Sequence, residues 1–297
     1  MPQLPAKSVS IIGLGRVGTA LAVALTDAGY SLDLLFSRTP SHAKKKLKKL
    51  GLDRDVSPVK DFERLETAAV IIIATPDDQI GSVAKSLSDF EVHNNSRPTR
   101  VVLHTSGALP STALAPLAEG WKIGSLHPLV AVRNLKVREN IFRGAYWCVE
   151  GDSVAVRVAT RLVRDLDGKA FSVTTERKSL YHAAAVMAAG NLVTLLSVAT
   201  ELLGQCGIEE RLARRIIKPL ADSALHNFLN DPKQALTGPF ARGDVATVSL
   251  HLEALRKAKM TEARELYTLL GLRSLELAKE MGLEREKVIA IQKILEQ

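Results

Sequence analysis

Residues 1–174 alternate short apolar runs with longer stretches in which apolar positions return every three or four residues. That alternation is the signature of strands joined by amphipathic helices in a parallel, doubly wound sheet. Strands are expected at 8–12, 31–36, 68–74, 100–104, 122–126, 145–149 and 170–173, with helices at 19–28, 77–87 and 152–166 among the connections. The run at 68–74 carries no polar alternation, as a strand covered by helices on both faces should read. From residue 175 the pattern changes and nothing strand-like returns. Residues 175–205 form one Ala- and Leu-rich helical pattern, followed by helices at about 208–229, 245–256, 260–281 and 284–295. Two domains are expected, 1–174 and 175–297, the second all helical.

The first strand runs into Gly13-Leu14-Gly15-Arg16-Val17-Gly18 and then into a helix. This G-x-G-x-x-G pattern between a strand and a helix is the dinucleotide fingerprint in its required setting. Gly13 permits the turn, Gly15 lets the backbone approach a pyrophosphate, and Gly18 lets the helix pack on the strand. The helix start then offers unpaired N–H groups to the phosphates. The first domain is thus read as a Rossmann-type, mainly parallel sheet.

The end of the second strand discriminates between dinucleotides. An acidic residue there suits the ribose hydroxyls of NAD, whereas a hydroxyl and an arginine suit the 2′-phosphate of NADP. The chain has Ser37-Arg38-Thr39, and Asp33 lies too early for the acidic role. NADP is the expected cofactor. Thr39 and Pro40 read as the cap and first position of a helix whose Lys44 to Lys49 run is either a solvated face or added positive potential near a phosphate.

Composition narrows the classes. Apolar content of 46% and charged content of 24% over 297 residues describe a globular chain able to bury a large core. The net charge of +8 is spread along the chain, and aromatics make up only 4%, which argues against a nucleic-acid surface and suits an anionic cofactor and substrate. Cys148 and Cys206 are too far apart in sequence for a redox or metal pair, so a reducing, cytoplasmic compartment is expected. No signal peptide and no run of 18 apolar residues is visible, so no membrane partner is expected. No metal-ligand spacing, Walker loop or nucleophile elbow occurs.

Polar residues gather where strands end, which is where open α/β sheets bind ligands. Thr75-Pro76 follows the third run and adds to the cofactor set. Thr105-Ser106-Gly107 offers hydroxyls and a close-approach backbone to a carboxylate or carboxamide, or forms an ordinary turn. His104 and His127 are candidate proton donors or structural histidines. Lys178 and His182 stand four apart on one helix face, so a lysine acid/base beside an imidazole is one reading. The alternative is a surface lysine and a satisfied histidine. Asn191 is a candidate polar partner, although nine residues of regular helix place it opposite His182. Arg242, in the polar loop 237–244, is a candidate anion contact, and Asp244 reads as the cap of the next helix.

Gly13 to Gly18, Thr75-Pro76-Asp77, His104 to Gly107, His127-Pro128, Tyr181-His182-Ala183-Ala184 and the 237–244 loop together resemble an uncharacterised bacterial family. That family joins an NADP-binding Rossmann-like domain to a helical domain of unknown function. More distantly the chain resembles pyrroline-5-carboxylate reductases and β-hydroxyacid dehydrogenases, with a 6-phosphogluconate dehydrogenase-like C-terminal domain. The resemblance implies a homodimer built on the long helices and a small-molecule substrate bound near the cofactor. It matches Lys178 to an acid/base lysine, with His182 where those dehydrogenases place asparagine, and Thr105-Ser106-Gly107 to a substrate-carboxylate loop. His127 joins the candidate substrate contacts. The expected function is an NADP-dependent oxidoreductase acting on a small anionic carbonyl, imine or hydroxyl compound. An NADP-binding sensor without turnover, and an NADP:deazaflavin oxidoreductase, are the alternatives.

Overall fold

The computed structural model describes residues 7–62, 65, 69–91, 100–117, 120–133 and 135–297. Ala68, the expected start of the third apolar run, lies outside them. The chain divides into two compact units, residues 1–189 and 190–297.

The first unit is built on one eight-stranded sheet. Strands β1 (Ser8–Ile12), β2 (Ser31–Ser37), β3 (Val56–Pro58), β4 (Val70–Ile73), β5 (Val101–His104), β6 (Lys122–Pro128), β7 (Tyr146–Gly151) and β8 (Lys169–Ser172) lie in the order β3-β2-β1-β4-β5-β6-β7-β8. Every neighbouring pair is parallel except β6 and β7. The order reverses between β1 and β4, the switch point at which such sheets open a crevice at their carboxyl ends. The short edge strand β3 is absent from the sequence reading, because Val56-Ser57-Pro58 offers no apolar run and ends on a proline that only an edge accepts.

The apolar run of β4 shows how the layers form. Val70 and Ile72 point into one buried cluster, with Leu21, Leu47 and Val158, while Ile71 and Ile73 point into the other, with Phe36, Ile80 and Leu114. Each such side chain contributes roughly 1.5–3 kcal/mol by leaving water. Helices α1 (Arg16–Asp27) and α4 (Ser153–Asp165) cover the first face, and α3 (Asp77–Glu91) covers the second. Helix α2 (Pro40–Lys49) starts at Pro40 with Thr39 as N-cap, although the Thr39 side chain makes no capping hydrogen bond.

The expected helix at 175–205 is present but irregular. A 3-10 turn (Thr175–Arg177) leads into α5 (Lys178–Val186), a π turn follows at Met187–Asn191, and α6 (Leu192–Gln205) completes it. A π turn bonds i to i+5 and holds more residues per turn than an α-helix. The regular phase that would set Asn191 opposite His182 therefore does not apply.

In the second unit, α6 is followed by α7 (Glu210–Asn230), α8 (Pro239–Arg242), α9 (Val245–Lys257), α10 (Thr261–Glu280) and α11 (Arg285–Leu295). The 237–244 segment, read as a loop, contains the single turn α8. Its Phe240 packs on the core of Val248, Leu275, Ile291 and Leu295, where a side chain at Gly271 would meet the Phe240 ring at 2.8 Å. Asp244 caps α9 as expected, accepting from the Thr247 N–H at 3.0 Å and the Thr247 hydroxyl at 2.7 Å. Helices α6 and α7 are different in kind. They pack on each other, yet α6 buries no residue and α7 only Ala213, while Val193, Leu220 and Leu229 stand about 70% exposed (68%, 71% and 70%). The helical stretch Thr175–Gln205, with a mean hydropathy of 1.7 in its most apolar window, is long and apolar enough to cross a membrane by length and composition, although polar residues interrupt its apolar run.

Candidate functional site

The glycine turn is shaped by its own contacts. Gly13 has φ +98°, and a Cβ there would lie 2.7 Å from the Ala74 backbone; a Cβ on Gly18 would lie 1.9 Å from the Gly13 carbonyl oxygen. Both positions are closed to any side chain. Gly15 is the opposite case, since nothing lies within 4 Å of where its Cβ would be. Its open side is the room a phosphate needs. Helix α1 begins there with no side-chain cap and no acidic residue in its first turn, so its N–H groups are available to an anion.

A cavity of about 510 Å³ opens at this point, lined by Gly13, Leu14, Gly15, Ser37, Arg38, Thr39, Thr75 and Pro76, together with Val59, Ala74 and Gln79. Of the expected cofactor residues, Arg16, Val17 and Gly18 lie just inside α1 and do not line it. Val59 and Gln79 were not anticipated, because they follow β3 and sit one turn into α3 with no motif of their own. Arg38 and Thr39 are exposed at the rim. The Thr75 hydroxyl is buried without a hydrogen-bond partner among the described residues, an arrangement that calls for a ligand or water. Asp33 is bonded to the Ser8 hydroxyl inside the sheet. Lys46 reaches back from α2 to the Gly15 carbonyl at 3.3 Å.

Further along the same strand ends lies a second group of residues. The turn after β5 is held from within. The Ser106 hydroxyl donates to Asp77 at 2.7 Å and accepts from the N–H groups of Ala108 and Leu109 at 3.2 and 3.0 Å. It is therefore committed to the turn. His104 is a satisfied buried histidine, accepting from the Ser106 N–H at Nδ1 and bonding the Pro110 carbonyl at Nε2 (3.1 Å); burial takes its pKa down to about 4. Thr105 stays partly open.

Gly107 is where the candidates meet. A Cβ on it would lie 2.2 Å from His182 Nδ1 and 2.8 Å from His127 Nε2, so the missing side chain makes room for two imidazoles. The rings stand edge to face with centroids 5.3 Å apart. His182 Nδ1 is buried and has no hydrogen-bond partner among the described residues. His127 Nδ1 lies 2.6 Å from the Tyr181 hydroxyl. Burial, then the charge of Lys178, lowers the His127 pKa to about 4. Helix α5 is fastened to the turn by the Ser179 hydroxyl, which donates to the Ala108 carbonyl at 3.2 Å.

Lys178 fits neither a solvent-facing acid/base nor a surface lysine. It is 0% exposed, donating to the Ser125 hydroxyl at 2.7 Å and facing Cys148 Sγ at 3.9 Å. Burial lowers its pKa, opposed by Cys148 and Glu150. Glu150 is itself buried, accepting from the Ser111 N–H and hydroxyl and from the Thr175 hydroxyl at 3.0 Å, so it ties the start of the long helix to the sheet. Glu150 carries no motif, and although Tyr181 stands in the Tyr181-His182-Ala183-Ala184 motif, only the packing of α5 on β6 and β7 reveals what either side chain touches. Asn191 and Arg242 are exposed residues of the second unit.

A switch-point sheet, a glycine turn before an uncapped helix, and a helix that adds an imidazole to the strand ends define a Rossmann-like domain followed by a helical domain. Residues 2–128 match the Rossmann-like domain family and residues 145–274 match the domain of unknown function DUF2520, so the chain joins a Rossmann-like domain to a DUF2520 domain. The fold is shared with a provisionally assigned NADP oxidoreductase of Bacteroides fragilis (21% identity, TM-score 0.70, covering 91% of this chain and 98% of that one). It is also shared with a pyrroline carboxylate reductase of Plasmodium falciparum solved with NADP bound (14% identity, TM-score 0.57, 96% and 99%). Among curated proteins, a glycerol-3-phosphate dehydrogenase (NAD(P)+) of Orientia tsutsugamushi is 29% identical over 97 residues, which is 30% of this chain and 29% of that protein. The chain thus spans under a third of the curated relative it matches.

Proposed function

We propose that the protein is an NADP-dependent oxidoreductase: the dinucleotide, when bound, supplies or accepts a hydride, and the partner compound is a small carbonyl, imine or hydroxyl compound carrying an anionic group. The observation that carries this reading is the convergence of His127 and His182 over Gly107, on the same strand-end edge as the glycine turn. Three strand spacings separate β1 from β6, roughly 14 Å at about 4.8 Å each. A dinucleotide lying across β4 extends toward that place.

In this reading Gly15 and the start of α1 hold the pyrophosphate, and Ser37, Arg38 and Thr39 hold the 2′-phosphate. The bonding of Asp33 to Ser8 within the sheet, with Ser37-Arg38-Thr39 at the strand end, favours NADP. His182 gives or takes the proton at the reacting oxygen or nitrogen. Its buried, unpartnered Nδ1 supports that role. Thr105, Gly107 and His127 hold the substrate, Ser106 holds the turn, and Lys178 acts through its charge. The exposed apolar residues of α6 and α7 favour a homodimer over a membrane, because α5, on the same helical stretch, is packed on the sheet through Lys178 and Ser179.

Calorimetric titration with NADPH and NADH, repeated on Arg38→Ala, tests the cofactor. Tight NADPH binding in wild type, weakened in Arg38→Ala, is expected; absence of wild-type binding near 1 mM, about −4 kcal/mol, overturns the reading. Stereospecific hydride exchange from labelled NADPH then tests the enzyme. Strong binding with no turnover across a carbonyl and imine panel would instead mark a sensor.

A further inference from the structure

We propose that Tyr181 is a positioning residue that donates its hydroxyl proton to Nδ1 of His127 and so fixes that imidazole as the tautomer with its proton on Nε2, presenting an N–H donor to the compound held over Gly107. The proposal rests on the reading of this cluster as the substrate end of the site.

A neutral imidazole has one donor and one acceptor nitrogen, and the bond made by one decides the role of the other. Here the Nδ1 bond is short, 2.6 Å, and its partner is a phenol. Burial raises the Tyr181 pKa, so the phenol keeps its proton and is able to donate. His127 stays neutral because it is buried and because Lys178, His182 and His104 all face it as present or potential cations. Cys148, the cross-strand partner of His127 and also beside Tyr181, is held as a thiol by burial. Among the described residues no carboxylate bonds the ring.

The geometry is over-determined from both sides. The Tyr181 ring is gripped edge to face by Phe171 at 5.8 Å, with the Lys178 ammonium 5.6 Å from its centroid. His127 is fixed by β6 pairing, and its Nε2 faces the space that Gly107 leaves free. Tyr181 and His182 are neighbours on one helix and serve different imidazoles: Tyr181 orients His127, and His182 takes part itself. The division of work follows. A neutral N–H polarises a carbonyl or imine without surrendering its proton, and proton transfer is left to His182.

The test is nitrogen NMR on protein labelled with 15N-histidine. The chain has seven histidines, so the His127 signals are assigned by their loss in His127→Gln. Wild type is expected to show an unprotonated Nδ1 and a protonated Nε2 at pH 7, and Tyr181→Phe a mixture of both tautomers. A protonated Nδ1 in wild type, or an unchanged tautomer in a folded Tyr181→Phe variant, overturns the proposal. If Tyr181→Phe does not fold, the wild-type spectrum alone decides. NADPH titration of the same sample separates the two readings: lost binding with the Nε2–H tautomer intact removes the oxidoreductase reading, and retained binding with the other tautomer removes only this one.

Discussion

The two ends of the strand edge are built in opposite ways. At the glycine turn, a contiguous stretch of backbone is shaped against itself, with Gly18 against Gly13 and Gly13 against Ala74, leaving an open cavity beside it. At Gly107, three separate segments bring side chains together: the turn after β5, the end of β6, and α5. The first arrangement is rigid because backbone cannot step aside. The second depends on rings that can shift, and its precision comes from a web of partners. A binding function survives on the first alone, whereas proton chemistry needs the second.

The largest effect should come from forcing a methyl group into each end. Gly18→Ala sets a Cβ 1.9 Å from a carbonyl oxygen that has nowhere to go. We expect a loss of about 3 kcal/mol in urea unfolding and no measurable NADPH binding. Gly107→Ala meets imidazole atoms instead, which can yield. Roughly 1 kcal/mol should be lost, with NADPH affinity kept and the His127 and His182 resonances moved. Loss of NADPH binding in Gly107→Ala would show that the two ends are one unit.

Acid should act on the imidazole end before the glycine end. His104 and His127 both have pKa values near 4 in the fold, against an ordinary 6.5. Between those values the unfolded chain binds more protons, so stability rises with pH there. It is complete above pH 6.5 and is lost as pH falls through 4, a change on the order of a few kcal/mol for the pair. Unfolding midpoints measured from pH 7 to 4 should show this decline, and His104→Gln should remove about half of it, leaving the His127 share. A flat profile in wild type would mean that neither imidazole is held neutral.

At the glycine end, Arg38→Ala should weaken NADPH by roughly ten- to a hundred-fold, the worth of a charge-assisted bond of about 1.5–3 kcal/mol, while NADH changes little. Equal losses for both nucleotides would place Arg38 elsewhere than at the 2′-phosphate.

The same contrast explains what the sequence discloses. The glycine turn, the Ser37-Arg38-Thr39 strand end and the all-helical half are contiguous, so periodicity and spacing reveal them. The edge strand β3 is too short to leave a pattern. The bond between His127 and Tyr181 joins residues 54 apart, and no local rule connects them. Ser106 has the residue type of a ligand contact, but its hydroxyl is taken up by Asp77 and by its own turn. The phase of Asn191 depended on a regular helix that a π turn interrupts. Lys178 is the sharpest case, because a lysine at a helix start reads as solvated or catalytic and never as fully buried.

That burial sets the last and smallest prediction. Among the described residues no carboxylate lies at hydrogen-bond distance from the buried Lys178 ammonium, a costly arrangement, so Lys178→Met, similar in length and uncharged, should leave stability within about 1 kcal/mol of wild type or raise it. Removing the cation should lift the His127 pKa from about 4 toward its ordinary value, readable by the same nitrogen NMR. Turnover, once a substrate is found, should fall by no more than about tenfold. Removing a side chain that transfers the proton itself costs roughly a hundred- to ten-thousand-fold. A loss of that size, with NADPH affinity unchanged, would make Lys178 the proton donor and require it to become accessible in the bound state. A small loss with a raised His127 pKa would assign Lys178 the role its position suggests, a fixed charge that keeps a neighbouring imidazole neutral.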